Sequence, residues 1–324
     1  MISLAALGND LYSGKTSLPF IAKRRIWYTI AIVVIALSAV LVVKPGLNPG
    51  IDFKGGSEVT VTGVADPSEG PGNDVLADKD LSSGSSVTTM GASSVRIQTN
   101  ELDKAQLDEL ASSLATAYDV DSGSVSATTI GPTWSADVTS KAARGLVIFF
   151  LLVGALIWIY FRTWKMAAAA LLALSHDIIV TIGIYAASGF EVTPATIIGV
   201  LTILGYSLYD TVVVFDKIRE NTSHYEAQTR STYAELANLA VNQTFIRSIN
   251  TSVVGVLPVA SLLVVGAFIL GAGTLRDIAL TLFIGMIAGT LSSIFLATPL
   301  LVDLRSREKS IVEQAKRVLS LIHI

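Results

Sequence analysis

Ile26-Trp27-Tyr28-Thr29-Ile30-Ala31-Ile32-Val33-Val34-Ile35-Ala36-Leu37-Ser38-Ala39-Val40-Leu41-Val42-Val43 holds no charged side chain and follows three cations in a row, Lys23, Arg24 and Arg25. A hydrocarbon core of about 30 Å takes about 20 apolar residues of helix, so this run predicts a transmembrane span over 26–43. Cations followed by an apolar run also begin cleavable leaders. Here the run is long, and Val43-Lys44-Pro45-Gly46 offers no small-residue cleavage site, so it reads as an uncleaved anchor.

Five more runs qualify as spans, at 145–161, 166–187, 193–215, 251–270 and 278–302. The composition agrees with six spans: 51% of residues are hydrophobic and 15% charged, with a mean hydropathy of +0.60, too apolar for an ordinary soluble domain. A net charge of −3 leaves no basic surplus to neutralise a phosphate backbone, which argues against nucleic acid as a partner. The chain has no cysteine, which excludes disulfides, thiolate metal sites and cysteine nucleophiles.

Cations near span ends set orientation. Lys23 to Arg25, Arg162 with Lys165, Lys217 with Arg219, and Arg305, Arg307 and Lys309 fall on one side, which holds 15 of the 23 Lys and Arg. Both termini are therefore expected in the cytoplasm, with residues 1–25 and 305–324 as cytoplasmic ends. Lys141 and Arg144 oppose this weakly, since long translocated loops are poorly governed by the rule.

Residues 44–143 then form an extracytoplasmic domain, with 14 acidic and 6 basic residues. Alternation at Val59 and Val61, Val95 and Ile97, and Val125 and Ala127 predicts strands. Leu102, Leu107, Leu110, Leu114 and Ala117 fall on one helical face. The Gly, Pro, Ser and Asp-rich stretch 65–86 reads as a mobile loop. The expected fold is thus a polytopic α-helical membrane protein with six transmembrane helices and a small α+β extracytoplasmic domain between the first and second. Spans two to four occupy 144–216 and spans five and six 251–304. Between them, 217–250 is too hydrophilic to span and reads as a cytoplasmic amphipathic, interfacial helix.

Three ionisable residues sit inside spans: His176 and Asp177 in the third and Asp210 in the fourth. An Asp at a helix centre costs about 2.5–3.5 kcal/mol on insertion scales. At 1.5 Å per residue Asp177 lies about 18 Å from Lys165, near the midplane, and Asp210 about 9 Å from Asp216. One reading makes these acids packing groups, Asp210 being satisfied locally by Ser207 and Tyr206. The other makes them proton carriers, because a carboxyl in a low-dielectric place takes up and releases a proton as its surroundings change. Arg247, ahead of the fifth span, is a candidate cation for Asp210 in one conformation, or an ordinary positive-inside anchor. Gly285 and Gly289 form a GxxxG, and with Gly199 and Gly205 they predict close helix packing.

Gly14-Lys15-Thr16 lacks the Gly at position 9 that a phosphate loop needs, since Asn9 stands there, so the chain is expected to have no ATPase site of its own. No His pair has metal-ligand spacing, and no hydrolase grouping occurs outside the helices. No cofactor or metal is expected, and the proton gradient is the natural energy source.

Three motifs carry a resemblance. They are Gly50-Ile51-Asp52-Phe53-Lys54-Gly55-Gly56, Ser175-His176-Asp177, and Gly205-Tyr206-Ser207-Leu208-Tyr209-Asp210 running on to Asp216-Lys217-Ile218-Arg219-Glu220-Asn221. Gln243-Thr244, Arg247 and Thr251-Ser252 extend the match. The chain resembles the SecF branch of the SecD/SecF protein-export membrane subunits, within the resistance-nodulation-division superfamily. That resemblance implies a multi-pass bacterial plasma-membrane subunit that pairs with SecD, associates with the SecYEG channel, and uses the proton motive force to promote export of preproteins after SecA has pushed them in. It implies that Asp210 carries the proton with Arg247 as partner, His176 and Asp177 ranking second, and that Gly50, Asp52, Phe53, Gly55 and Gly56 are the motif of the outer domain. Two other readings of the residues stay open: half of a proton-coupled small-molecule exporter, and a passive assembly scaffold.

Overall fold

The computed structural model of the chain describes residues 4–266 and 273–322. Among these, six helical segments are long and apolar enough to cross a membrane: Arg24–Gly46, Pro132–Phe161, Trp164–Ser188, Pro194–Ala227, Tyr233–Val264 and Gly273–Arg305. The expected end of the fifth span at 267–270 lies outside the described residues.

In chain order the helices are α1 (Leu4–Tyr12), α2 (Arg24–Leu41), α3 (Ile51–Lys54), α4 (Gly70–Asp78), α5 (Lys104–Ala117), α6 (Pro132–Phe161), α7 (Trp164–Ser188), α8 (Pro194–Asn221), α9 (Tyr233–Val264), α10 (Gly273–Ser292), α11 (Thr298–Arg305) and α12 (Lys309–Ile322). The strands are β1 (Asn48–Pro49), β2 (Gly56–Thr62), β3 (Ser86–Met90), β4 (Ser94–Thr99), β5 (Val125–Ile130) and β6 (Glu191–Val192).

α10 is the most buried span and α7 and α8 follow it, while α2, α6 and α9 leave most of their apolar surface outward. Small residues explain the centre. A side chain on Gly285 or Gly289 would run into Ile203 or Ser207 of α8, and one on Gly199 into Thr281 of α10, so the two backbones meet closely. Gly205 does not share this role: it is exposed and a Cβ there would touch nothing within 4 Å. The close-packing expectation fails at that residue because it faces away from α10.

Between α2 and α6 an antiparallel sheet of order β3-β4-β2-β5 packs one face on α4 and α5. Strand alternation places Val59, Val61, Val95 and Ile97 in that core, all with no exposed surface, and leaves Glu58, Thr60, Arg96 and Gln98 on the opposite face. Glu58 pairs across from Gln98 and Thr60 from Arg96. Leu107, Leu110 and Leu114 bury the inner side of α5, whose start is fixed by a capping box between Asp103 and Gln106.

Two expectations are corrected. The stretch 65–86 is not a mobile loop along its length: Gly70–Asp78 forms α4, with Pro71 at the helix start, where its missing N–H costs nothing. Gly72 and Leu76 are buried, and the Tyr118 hydroxyl accepts from the Gly72 N–H at 3.0 Å and donates to the Ser68 carbonyl at 2.8 Å. The polar segment 217–250 is not a separate interfacial helix either. Its first residues finish α8, and from Tyr233 it is continuous with the fifth span as α9. The polar half of α9 is covered by the chain's own start: Asn242 Oδ1 accepts from the Leu18 N–H at 2.7 Å, and Asn238 Oδ1 from the Ile21 N–H at 3.1 Å. Helix α6 likewise begins at Pro132, well before the apolar run at 145.

Candidate functional site

Asp210 sits on the buried face of α8 with 5% of its surface exposed. Its partners come from other helices. Ser248 Oγ of α9 donates to Oδ1 at 2.6 Å, and Ser293 Oγ donates to Oδ2 at 2.5 Å. Ser293 opens a π-helical stretch, Ser293–Ala297, between α10 and α11; such widened turns are frequent at functional sites. The two hydroxyls make a three-helix clamp on one carboxylate, the kind of satisfaction a buried charge needs.

Ser207 does not serve Asp210. Its Oγ crosses to α7 and donates to Asp177 Oδ2 at 2.7 Å. Tyr206 donates its hydroxyl to the Thr251 carbonyl of α9 at 3.0 Å. The local satisfaction expected for Asp210 is therefore replaced by interhelical bonds. Asp177 is 3% exposed, and His176 Nδ1 stands 3.4 Å from its Oδ1, beside an apolar groove of about 310 Å³ lined also by Trp27, Val34 and Phe295. Ser207 thus joins the two acids in one layer, its helix carrying Asp210 and its hydroxyl holding Asp177.

Arg247 stands apart. It is exposed, and among the described residues no ion pair joins it to Asp210; the adjacent Ser248 takes that place. Arg247 lines a polar groove of about 420 Å³ with Tyr12, Asp216, Lys217, Glu220 and Thr244, at the end of the bundle where the chain starts. One residue along the helix separates that groove from the Asp210 clamp.

Sequence reading missed a third intramembrane acid. Asp277 on α10 is 4% exposed, accepts from Thr193 Oγ1 at 3.0 Å, and pairs with Arg276 at 3.2 Å. It lies one residue before the apolar run that defined the sixth span. A polar ladder continues from it along α10: Thr281 bonds Tyr185 of α7 at 2.6 Å, and Thr290 bonds Ser252 of α9 at 2.6 Å. Single Ser and Thr residues in apolar runs carry no signal of their own, so this ladder was not legible.

The motif Gly50, Asp52, Phe53, Gly55 and Gly56 forms the joint between the sheet domain and the bundle. The Gly50 N–H donates to the Val192 carbonyl at 2.8 Å, and β1 pairs in parallel with β6, in the connection between α7 and α8. A Cβ on Gly50 would lie 2.8 Å from Glu191 Oε1 and push that side chain aside, and one on Gly56, whose φ is +145°, would lie 2.5 Å from the Thr99 carbonyl; at Gly56 only glycine fits. Phe53 is half-buried in α3. Burial raises the Asp52 carboxyl above its ordinary value, the Glu191 charge adds to this, and Arg96 opposes it.

A family model described as protein export membrane protein SecD/SecF, C-terminal, matches residues 110–307, and a SecD/SecF GG motif matches 40–63. The chain is 45% identical to a protein translocase subunit SecF of Streptomyces coelicolor, over 99% of this chain and 85% of that one. It is 43% identical to the SecF subunit of Mycobacterium tuberculosis strain H37Rv, over 95% and 72% respectively. The crystal structure of SecDF, a translocon-associated membrane protein from Thermus thermophilus, superposes with a TM-score of 0.78 at 29% identity, over 90% of this chain and 39% of that one.

Proposed function

The chain belongs to the SecD/SecF family of protein-export membrane proteins, and from that premise we propose that it is a multi-pass subunit of the Sec preprotein translocase, coupling the proton motive force to export. In this reading it pairs with SecD, associates with the SecYEG channel, and promotes outward movement of preproteins after the SecA-driven step. The sheet domain faces out of the cell, and both termini and the Arg247 groove face the cytoplasm, as the distribution of cations supports.

The observation that carries the reading is the Asp210 clamp. A carboxylate held by hydroxyls from two neighbouring helices changes its hold on both when it gains a proton, because a neutral acid is a weaker acceptor than a charged one. Protonation then loosens α8 from α9 and from the π-helical stretch. Arg247, one residue from Ser248, supplies the cation that draws the deprotonated acid toward the groove in the alternative state. Asp177 and His176 sit on the other side of Ser207 as the next proton station. A proton shifts such an equilibrium only by its different affinity for the two states, so the clamp and the Arg247-paired arrangement must differ in how they hold the charge.

The test is Asp210→Asn in the complex with SecD, with insertion and copurification checked first. Export of a preprotein into inverted vesicles is expected to lose its dependence on the proton gradient while the SecA-driven part remains. Unchanged gradient dependence would remove Asp210 from the proton path and favour a scaffold role.

A further inference from the structure

Alternation along β4 sends Val95 and Ile97 into the sheet domain's core and turns Arg96 and Gln98 the other way, toward the bundle. Both meet Glu191, in the short connection between α7 and α8. Arg96 forms an ion pair with Glu191, and Gln98 Nε2 donates to Glu191 Oε1 at 2.7 Å and to Glu58 Oε2 at 3.0 Å. The Arg96 and Glu191 side chains are only 11% and 8% exposed. A charge pair this withdrawn from water is costly to form and costly to break on one side, so it joins its two elements far more firmly than a surface pair would.

The same connection is tied to the bundle within two residues. Thr193 caps the start of α8 and its hydroxyl donates to Asp277 on α10 at 3.0 Å. From Thr193, α8 runs without a break to Asp210. The sheet domain, the head of α8 and the beginning of α10 therefore share one node.

We infer that Arg96 and Glu191 are positioning residues that pass displacement of the Asp210 helix to the sheet domain. Resting on the reading of Asp210 as the proton carrier, this adds the contact through which its state reaches the sheet domain. Loss of the pair leaves the sheet domain attached through β1, α3 and α6, with Gln98 as the remaining side-chain contact from β4 to Glu191, but without the charge pair that passes displacement of α8 to the sheet. Asp52, Glu58, Arg276 and Asp277 are the other charged groups around the node, and none of them bridges β4 to Glu191.

The chain has no cysteine of its own, so spin labels on Ser122→Cys, exposed on the sheet domain, and Leu172→Cys, exposed on α7, report one distance. Pulsed electron resonance on the complex with SecD in lipid nanodiscs compares this labelled parent with Asp210→Asn, which imitates the protonated acid. The expected result is a shift in distance on Asp210→Asn that disappears when Arg96→Gln or Glu191→Gln is added and survives with Arg96→Lys, which keeps the charge. Two glutamine variants guard against misfolding of either one, each checked for monodisperse elution with SecD. A shift that persists undiminished in a folded glutamine variant overturns the coupling role. Absence of any shift in the labelled parent overturns the underlying reading of Asp210 instead, and the coupling role with it.

Discussion

Ser248 and Asp210 are 38 positions apart in the chain and 2.6 Å apart in the bundle, and the arginine next to Ser248 points elsewhere. The hydroxyl rather than the guanidinium satisfies the acid in this conformation, leaving Arg247 in the groove it shares with Asp216, Lys217 and Glu220. Ser248→Ala removes a hydrogen bond to a buried acid whose other oxygen keeps Ser293. The expected loss is about 1.5–3 kcal/mol of stability, read as a lowered thermal midpoint in detergent, while Ser248→Thr keeps the hydroxyl and stays near the parent. If Ser248→Ala matches the parent, the clamp contributes nothing and the bond is incidental.

The glycines of the central helices give a contrast in sign. A methyl on Gly285 would sit against Ile203 Cγ1 at 2.5 Å, whereas one on Gly205 meets nothing within 4 Å. Gly285→Ala should therefore cost about 1–3 kcal/mol through overpacking. Gly205→Ala should gain up to about 1 kcal/mol through helix propensity. Thermal unfolding of the two variants side by side decides this, and equal effects would mean that α8 and α10 are not held at glycine distance.

Two carboxylates outside the spans predict opposite responses to pH. Asp52 is raised by burial and by Glu191, with Arg96 opposing; its folded form therefore holds a proton more tightly than the unfolded chain, and ionising it costs stability as pH rises through its folded value. Asp52→Asn should stabilise the protein near pH 7 and lose that advantage near about pH 3. For Glu308 burial alone would raise the carboxyl, but hydrogen bonds and charge from Arg305 and Lys165 together hold it low. Its contribution is present above the unfolded value and fades as pH falls through the folded one, so Glu308→Gln should destabilise near pH 7 and be silent in acid. Melting curves of both variants across that range test the signs, and parallel curves would remove both assignments.

What could be read in advance follows from what kind of pattern each feature leaves. The spans were legible because lipid demands long apolar runs, and β2, β4 and β5 because Val59, Val61, Val95, Ile97 and Val125 alternate. The strand β3 was not, since Ser86-Val87-Thr88-Thr89-Met90 is half polar and lies at the sheet edge. Asp177 and Asp210 announced themselves as charges in apolar runs, but their partners are serines on other helices, and serine at a distance of 30 to 83 residues leaves no periodic trace. Asp277 escaped because an acid and Arg276 at the end of a run look like its flank. Arg96 and Glu191 escaped because each is an ordinary charge until the sheet is laid on the bundle.

The segment 65–86 offers the last prediction, because there composition and structure part most clearly. Gly70, Pro71 and Gly72 look like helix breakers, yet Pro71 stands in the first turn of α4 and Gly72 is small because Tyr118 and Val87 press against it. The Tyr118 hydroxyl is the tie: it takes the Gly72 N–H and gives its proton to the Ser68 carbonyl, bridging the helix and the chain before it. Tyr118→Phe keeps the ring in the core and removes both bonds, leaving the buried Gly72 N–H without a side-chain acceptor, at an expected cost of about 1–3 kcal/mol. The loss should be local. Amide hydrogen exchange over residues 68–78 should quicken while exchange in α5 and β4 stays slow, and Gly72→Val should do the same by displacing the ring. Uniform acceleration across the sheet domain would mean that α4 is part of its folding core, and no acceleration would mean that the tyrosine packs there without holding the helix.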